Sequence, residues 1–550
     1  MSAELVIRGG TVFDGSGEPG RIADVAIAGG VIREIGPKLR GKRELDASGC
    51  AVSPGFIDIH THYDAQVFWD PALQPSCFHG VTTVVAGNCG FTIAPIRPEH
   101  HDVIVHTLEN VEDMDPATLT EGIAWEFETF PQYLELVRRR GTVLNFTAYI
   151  GHSALRLYVM GDAAYERAAT AEEIDRMCQL VGEALDAGAA GFSTSFSFAH
   201  RGVDGKPVPS RFAERDEVEA LFATAGKVGK GVVLATPGKQ CNYPDFYDVA
   251  ARIGRPFTWP LFAAPGNAHR TQLEIHEDHT ARGANVWPQV TPRPLTIQFT
   301  LADAYSLNVG NVFGELLKVS RAVRMAAYRD PAWRALAAAD LDKAPMRPRW
   351  ETFEVSESER FPELQGRRVS DLARERGCSP FDVMCEIAVA EDLETRFRAY
   401  IANDDVDAVA DLLTHDNVVL GLSDAGAHVD QLCDAPLYTD LLGKWVRERS
   451  LMPLERAVRK LSGEAADMFG FVRRGYLREG YWADVCVFDP LTVGPGPLRR
   501  VRDFPADAER LTADQPTGVR HVLVNGMPIR SDGSQLDSLA ERPGMRPEIA

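Results

Sequence analysis

Hydrophobic and polar positions change rhythm near residue 51. Before it, short alternating runs at 5–8, 11–13, 25–28, 31–35 and 44–47 are separated by Gly9-Gly10, Gly15-Ser16-Gly17 and Gly29-Gly30. Period-two alternation between glycine turns predicts strands. Five such strands cannot bury both of their faces alone. Two apolar runs near the other end, 483–490 and 521–526, read as their partners. A small β-sandwich is therefore expected from 1–50 together with 475–530.

From 51 onward, apolar runs of strand length alternate with stretches of helical period. The predicted strands cover 51–59, 82–86, 143–150, 190–195, 231–236, 257–262, 284–290 and 418–423. A helix is predicted over 172–187, where Leu180, Val181, Ala184 and Leu185 share a face. Another is predicted over 453–469, with Leu454, Ala457, Val458, Leu461 and Ala465 on one side and Pro453 in its first turn. Strands alternating with helices predict an α/β chain whose body, 51–474, is a (β/α)8 parallel barrel. Segments 97–142 and 294–415 exceed ordinary connections and are expected as insertions at the barrel mouth, candidate lids. Their charge runs, including the acidic stretch 109–115, are expected as solvated faces. The polar stretch 531–550 is expected as a mobile tail.

Composition narrows the class. A chain of 550 residues accommodates a decorated barrel and a small satellite. A net charge of −20 argues against a nucleic-acid or anionic-membrane surface. The nine cysteines are scattered, odd in number and without CxxC spacing, which favours reduced thiols. The start MSAELVIRGG lacks a basic stretch followed by an apolar core, and no apolar run reaches membrane-spanning length, so a cytoplasmic location is expected. GxxxxGK[ST] and GxSxG are both absent, which removes support for P-loop nucleotide binding and serine catalysis.

The chemistry concentrates at strand ends. The first barrel strand runs into His60 and His62, two residues apart and pointing the same way, so both imidazoles can share a divalent cation. The stretch Pro54-Gly55-Phe56-Ile57-Asp58-Ile59-His60-Thr61-His62 resembles the first-strand metal motif of the amidohydrolase superfamily, metal-dependent hydrolases on a (β/α)8 barrel. GVTTVVAGNCG, from Gly80 to Gly90, is similar to the corresponding stretch of the D-aminoacylase (N-acyl-D-amino-acid deacylase) branch. That resemblance implies that Cys89 is a metal ligand, and a thiolate selects zinc over magnesium or calcium. It also implies that Asp424, ending the eighth strand, moves the proton of an activated water as general base and acid. His152 in Gly151-His152-Ser153, His200 after strand four and His428 after Asp424 are candidate substrate contacts at the rim.

The chain also departs from the branch. Strands five and six lack the histidines that the resemblance would place there. The strand-six lysine and the arginine beyond the eighth-strand aspartate, which hold the substrate carboxylate in the branch, are missing too. Strand six instead offers Trp259, Pro260, Leu261 and Phe262, read as an apolar pocket wall. Arg293, Lys239 and Arg270 follow nearby strands and are candidate replacement cations, with Arg293 counted among the substrate contacts. The expectation is a zinc hydrolase with one ion on His60, His62, Cys89 and Asp424, cleaving an amide of a small, rather hydrophobic molecule. Ester, lactone or carbon–carbon cleavage at the same site, or a metal-free relative, are the alternatives. Oligomeric state is left open.

Overall fold

The computed structural model describes the chain except residues 1–2, 203–204, 265, 267, 303–306, 308–310, 317, 345–346 and 536–541. It divides into two compact units. One holds the residues up to Arg293 with Val406–Val429 and Cys433–Ala550, and the other holds Pro294–Asp405 with Asp430–Leu432.

In the first unit, eight parallel strands follow one another in chain order around a barrel. They are Phe56–Asp58, Val81–Ala86, Asn145–Gly151, Gly191–Ser195, Val232–Thr236, Phe257–Pro260, Val286–Val290 and Val419–Leu420. The two ends of this sheet approach where Thr61 bridges Ala425 and the His62 N–H donates to the Ala425 carbonyl at 2.8 Å. The barrel is thus nearly closed, and every strand lies within a residue of its predicted span. Alternate residues separate into two cores, as a strand period of two requires. Ile57, Ile59, Val85, Tyr149, Val232, Leu234 and Val419 cluster together with Phe469 of the last helix. Their neighbours Phe56, Val84, Phe146, Val233, Phe257 and Trp259 join the larger core formed with the surrounding helices.

The predicted first strand is split at Gly55. Ala51–Pro54 joins another sheet, and Phe56–Asp58 opens the barrel. A Cβ on Gly55 would lie 2.2 Å from Thr82 Oγ1, so only glycine lets the chain pass from one sheet to the other here.

That other sheet has nine strands and draws on both ends of the chain. Val485–Phe488 lies antiparallel between Ala51–Pro54 and Val519–Val524, while Ala3–Val12 pairs with Arg21–Ala28, Gly41–Asp46 and Ala51–Pro54. Leu5, Ile7, Val25, Ile27, Val485, Val487 and Leu523 form its core. Buried Asp484 accepts hydrogen bonds from Asn525 N at 2.8 Å, from Asn145 Nδ2 at 3.1 Å and from Arg474, linking this sheet to the third barrel strand. The chain end corrects the expectation of a mobile tail. Phe146 N donates to Met545 O, Val472 N to Glu548 O and Ala550 N to Gly470 O. The third barrel strand and the residues just after helix Glu464–Phe469 supply the partners for these last residues. The part of the expected tail at 536–541 lies outside the described residues.

The second unit has its own core. Arg396–Ala402 is the middle strand of a three-stranded antiparallel sheet, between Leu295–Thr300 and Glu354–Glu357. Phe299, Phe313, Phe353, Phe381 and Phe397 pack beside the helices Arg321–Arg329, Pro331–Leu341, Val369–Arg376 and Pro380–Ala390. Ser379 caps the last of these by accepting from Asp382 N at 3.0 Å.

Candidate active site

Four predicted residues converge beyond the C-terminal ends of strands one, two and eight. The ligand atoms of His60, His62 and Cys89 all lie within 4.8 Å of one another. Asp424 Oδ1 stands 3.2 Å from His60 Nε2 and 3.7 Å from His62 Nε2, and Cys89 Sγ is 3.6 Å from His60 Nε2.

Local backbone geometry places each group. Cys89 adopts a left-handed conformation, φ 54°, inside the turn Gly87-Asn88-Cys89-Gly90. Gly87 is also left-handed, and a Cβ there would lie 2.5 Å from Tyr149 O. Asn88 Nδ2 donates to Thr61 O at 3.1 Å and to Val85 O at 3.0 Å, tying the turn to the end of the first strand. Asp424 and His428 are left-handed as well, at φ 46° and 50°. Three non-glycine residues in this region, all at one site, hold strain of about 1–3 kcal/mol each that the surrounding contacts must offset.

Each histidine presents its Nε2 toward Asp424 and has an oxygen beside its Nδ1. His60 Nδ1 is 2.6 Å from Gln289 Oε1, an acceptor that keeps the proton on Nδ1 and the lone pair on Nε2. His62 Nδ1 is 3.3 Å from Glu112 Oε1. The charges are strongly interdependent. Burial opposes a proton on His60, but the Cys89 thiolate and Asp424 raise its pKa to about 10. His62 is raised too, burial being outweighed by Glu112, Asp424 and Cys89. Burial would push Cys89 upward, yet the two imidazoles bring it down to about 6. Asp424 lies well below the usual carboxylate range, because His60 and His62 outweigh its burial. Burial lifts Glu112 to about 8, with His62 only partly opposing. Two carboxylates and a thiol around two imidazoles need positive charge among them. A divalent cation supplies it without protonating the imidazoles, and a thiol with two imidazoles is a zinc-type donor set.

The remaining predicted contacts divide. His200 lies near the cluster: its Nδ1 is 2.7 Å from Ser195 Oγ, its ring meets Phe91 edge-on at 5.2 Å, and burial beside His428 and His62 lowers its pKa to about 3. His428 also belongs here, with Nε2 3.6 Å from Glu112 Oε2 and its backbone N–H donating to Glu112 O at 2.6 Å. His152 does not. Helix His152–Met160 starts directly at the end of strand three, so the ring turns to Thr194 Oγ1 and Glu217 Oε1, each at 2.8 Å, and both nitrogens are occupied. Trp259 is no pocket wall either. It shares the outward face of Phe257 and stacks on Tyr243 at 5.5 Å, against a helix. Arg293 is not a free cation: Asp434 at 2.6 Å and Asp440 at 3.5 Å pair with it. Lys239 and Arg270 are exposed.

Two site residues escaped the sequence reading. Gln289 shares its face of strand seven with Trp287, which packs on the inner cluster, so alternation alone places it inside the barrel. Glu112 corrects the expectation that the acidic stretch 109–115 is a solvated face, since it is 2% exposed. It closes helix His101–Glu112 in register with buried Ile104 and Leu108, and that spacing was the available signal.

A nearly closed parallel barrel with histidines after strand one and an aspartate after strand eight defines a class, and the chain belongs to the amidohydrolase family, whose sequence model matches residues 43–530. It is a hydrolase of carbon–nitrogen bonds other than peptide bonds. Within that family it is similar to the D-aminoacylase of Alcaligenes xylosoxydans xylosoxydans, 31% identical over 96% of this chain and 94% of the relative. A solved N-acyl-D-glutamate deacylase from Bordetella bronchiseptica, complexed with zinc and a phosphonate mimic of the tetrahedral intermediate, matches at a TM-score of 0.68. It is 26% identical and covers 99% of both chains. A solved D-aminoacylase with a binuclear metal centre, subject to one-metal activation and second-metal attenuation, also matches at 0.68, with 27% identity and 99% and 100% coverage. No described helix is long and apolar enough to cross a membrane.

Proposed function

We propose that this chain hydrolyses the amide bond of a small N-acylated molecule at a single zinc ion held by His60, His62 and Cys89, with Asp424 as proton carrier. The convergence of those three ligand atoms within 4.8 Å, beside Asp424 Oδ1, carries the reading. When bound, a divalent cation there supplies Lewis acidity, polarising a carbonyl and making a water molecule acidic near neutral pH.

The chain's own residues do the rest. Gln289 keeps His60 Nε2 available for coordination, and the left-handed turn presents Cys89 Sγ to the same point. Asp424 is ionised at neutral pH, so its carboxylate accepts the proton of the attacking water and returns it to the departing nitrogen. His200 and His428, both held neutral by burial, with His428 lowered to about 4, offer uncharged hydrogen-bonding groups beside it. One ion rather than two is supported by strands five and six. Strand five ends in Thr236, whose Oγ1 donates to Cys89 Sγ at 3.7 Å, and strand six in Trp259-Pro260.

The relatives deacylate N-acyl-D-amino acids by name, but the candidate cations among the described residues offer a poor grip on a substrate carboxylate, Lys239 and Arg270 being exposed. Arg293 is neutralised by two aspartates, and strand six lacks lysine. A neutral N-acyl amine is the substrate class that fits. With Trp259 turned outward, this rests on charge and no longer on an aromatic wall. The test is kcat/KM of zinc-loaded enzyme for N-acetyl-D-methionine against the N-acetyl derivative of an uncharged arylalkyl amine. Higher kcat/KM for the neutral amide is expected. A clear preference for the carboxylate substrate overturns the substrate assignment, and turnover of neither overturns amide hydrolysis of this class.

A further inference from the structure

The metal reading accounts for His60, His62, Cys89 and Asp424, but not for the carboxylate buried behind His62. Glu112 comes from the insertion between strands two and three, as the last residue of helix His101–Glu112. Among the described residues its carboxylate meets two partners, both histidines. Oε1 is 3.3 Å from His62 Nδ1, and Oε2 is 3.6 Å from His428 Nε2. Its carbonyl also accepts the His428 N–H at 2.6 Å. One residue of the insertion therefore meets both the second histidine of the first-strand pair and the loop that follows Asp424.

Burying a carboxylate this fully is costly unless it has charged or hydrogen-bonding partners. Here the partners lie in the site itself, whereas an insertion helix seeking only packing would end on an apolar residue in the register of Ile104 and Leu108. Each histidine has Nε2 toward Asp424 and an oxygen beside Nδ1: Gln289 hydrogen-bonds His60 at 2.6 Å, and Glu112 stands 3.3 Å from His62 as an ion-pair contact. An acceptor at Nδ1 fixes the tautomer, orients the ring and makes Nε2 a better donor.

We propose that Glu112 is a positioning residue for the zinc centre, its carboxylate holding His62 with Nε2 open to the ion and its backbone anchoring the loop that carries Asp424. This rests on the zinc reading above. The orienting carboxylate thus comes from a helix added to the barrel, so the ion and the insertion help to order each other.

The test measures zinc affinity of the full-length wild type, E112Q and E112D by competition with a chromophoric chelator, and the melting temperature of each after chelation. Glutamine keeps the volume but is a weaker acceptor, and E112Q should bind zinc about 10- to 100-fold more weakly, the usual effect of losing an outer-shell partner. E112D should recover part of that loss, and chelated E112Q should melt close to chelated wild type. Equal affinity in E112Q and wild type overturns the inference. So does a loss of affinity matched by an equal loss of chelated-protein stability and no better in E112D, which would assign Glu112 to packing. Wild type that takes up no zinc overturns the metal reading itself, a separate outcome.

Discussion

Replacing Glu217 by Gln tests whether His152 lies outside the active site. Glu217 and Arg156 have side chains 1% and 0% exposed and form a direct ion pair, while His152 Nε2 donates to the other carboxylate oxygen at 2.8 Å. Burial alone would raise Glu217, but the hydrogen bond from His152 and the charge of Arg156 hold its pKa below the ordinary 4.5. His152 is lowered from 6.5 by burial, which Glu217 only partly offsets. Glutamine leaves the guanidinium buried without its counter-charge, with Arg167 O at 2.7 Å as a neutral acceptor. Removing one partner of a buried pair costs about 3–5 kcal/mol, and the amide's remaining acceptor puts the expected loss near the lower figure. The pH dependence follows from the depressed pKa. The Glu217 contribution is complete above its unfolded value and is lost as pH falls through the folded one. The gap between wild type and E217Q should therefore be constant above about pH 4.5 and close in acid. His152 also destabilises both proteins below about pH 6.5, because the unfolded chain takes up the proton first. The assay is urea unfolding by circular dichroism at several pH values, with kcat/KM measured on protein still folded at neutral pH. Because both His152 ring nitrogens are taken by Thr194 and Glu217 and neither meets His60, His62, Cys89 or Asp424, kcat/KM should stay within about threefold of wild type. An unchanged urea midpoint refutes the energetics. A folded variant that has lost most of its activity refutes the placement and returns His152 to the site.

Two further outcomes address the site directly. Asp424→Asn should retain zinc and fold while losing activity by a factor on the order of 10² or more, the size typical of removing a general acid–base group, as read by kcat at saturating zinc; a variant within tenfold of wild type means another group carries the proton. Cys89→Ser replaces a thiolate with a hydroxyl that does not ionise near neutral pH and should weaken zinc retention during dialysis, read by elemental analysis; unchanged stoichiometry makes Cys89 a packed thiol.

Much of the fold was legible because barrel strands carry local signatures. Apolar runs of strand length recur between helical stretches, and each of the eight strands falls inside its predicted span or within a residue of it, though several are shorter than predicted. The His60–His62 pair, the Gly87–Gly90 turn and Asp424 were legible for a related reason. Each sits at the end of such a strand, where backbone chemistry and residue type coincide within a few positions. Trp259 and Gln289 could have been placed by the same alternation, with Trp259 on the outward face of Phe257 and Gln289 on the inward face of Trp287. Other features depended on partners far away in sequence. Whether Arg293 is a free cation depends on Asp434 and Asp440, more than a hundred residues later, and whether His152 faces the metal depends on Glu217. The chain end settles against Phe146, Val472 and Gly470 for backbone bonds that no local pattern announces. Glu112 lies between these cases. Helical spacing marks it as facing inward, but only the folded chain shows that two histidines meet it there, because an ionisable group's role is set by the charges around it once water is excluded.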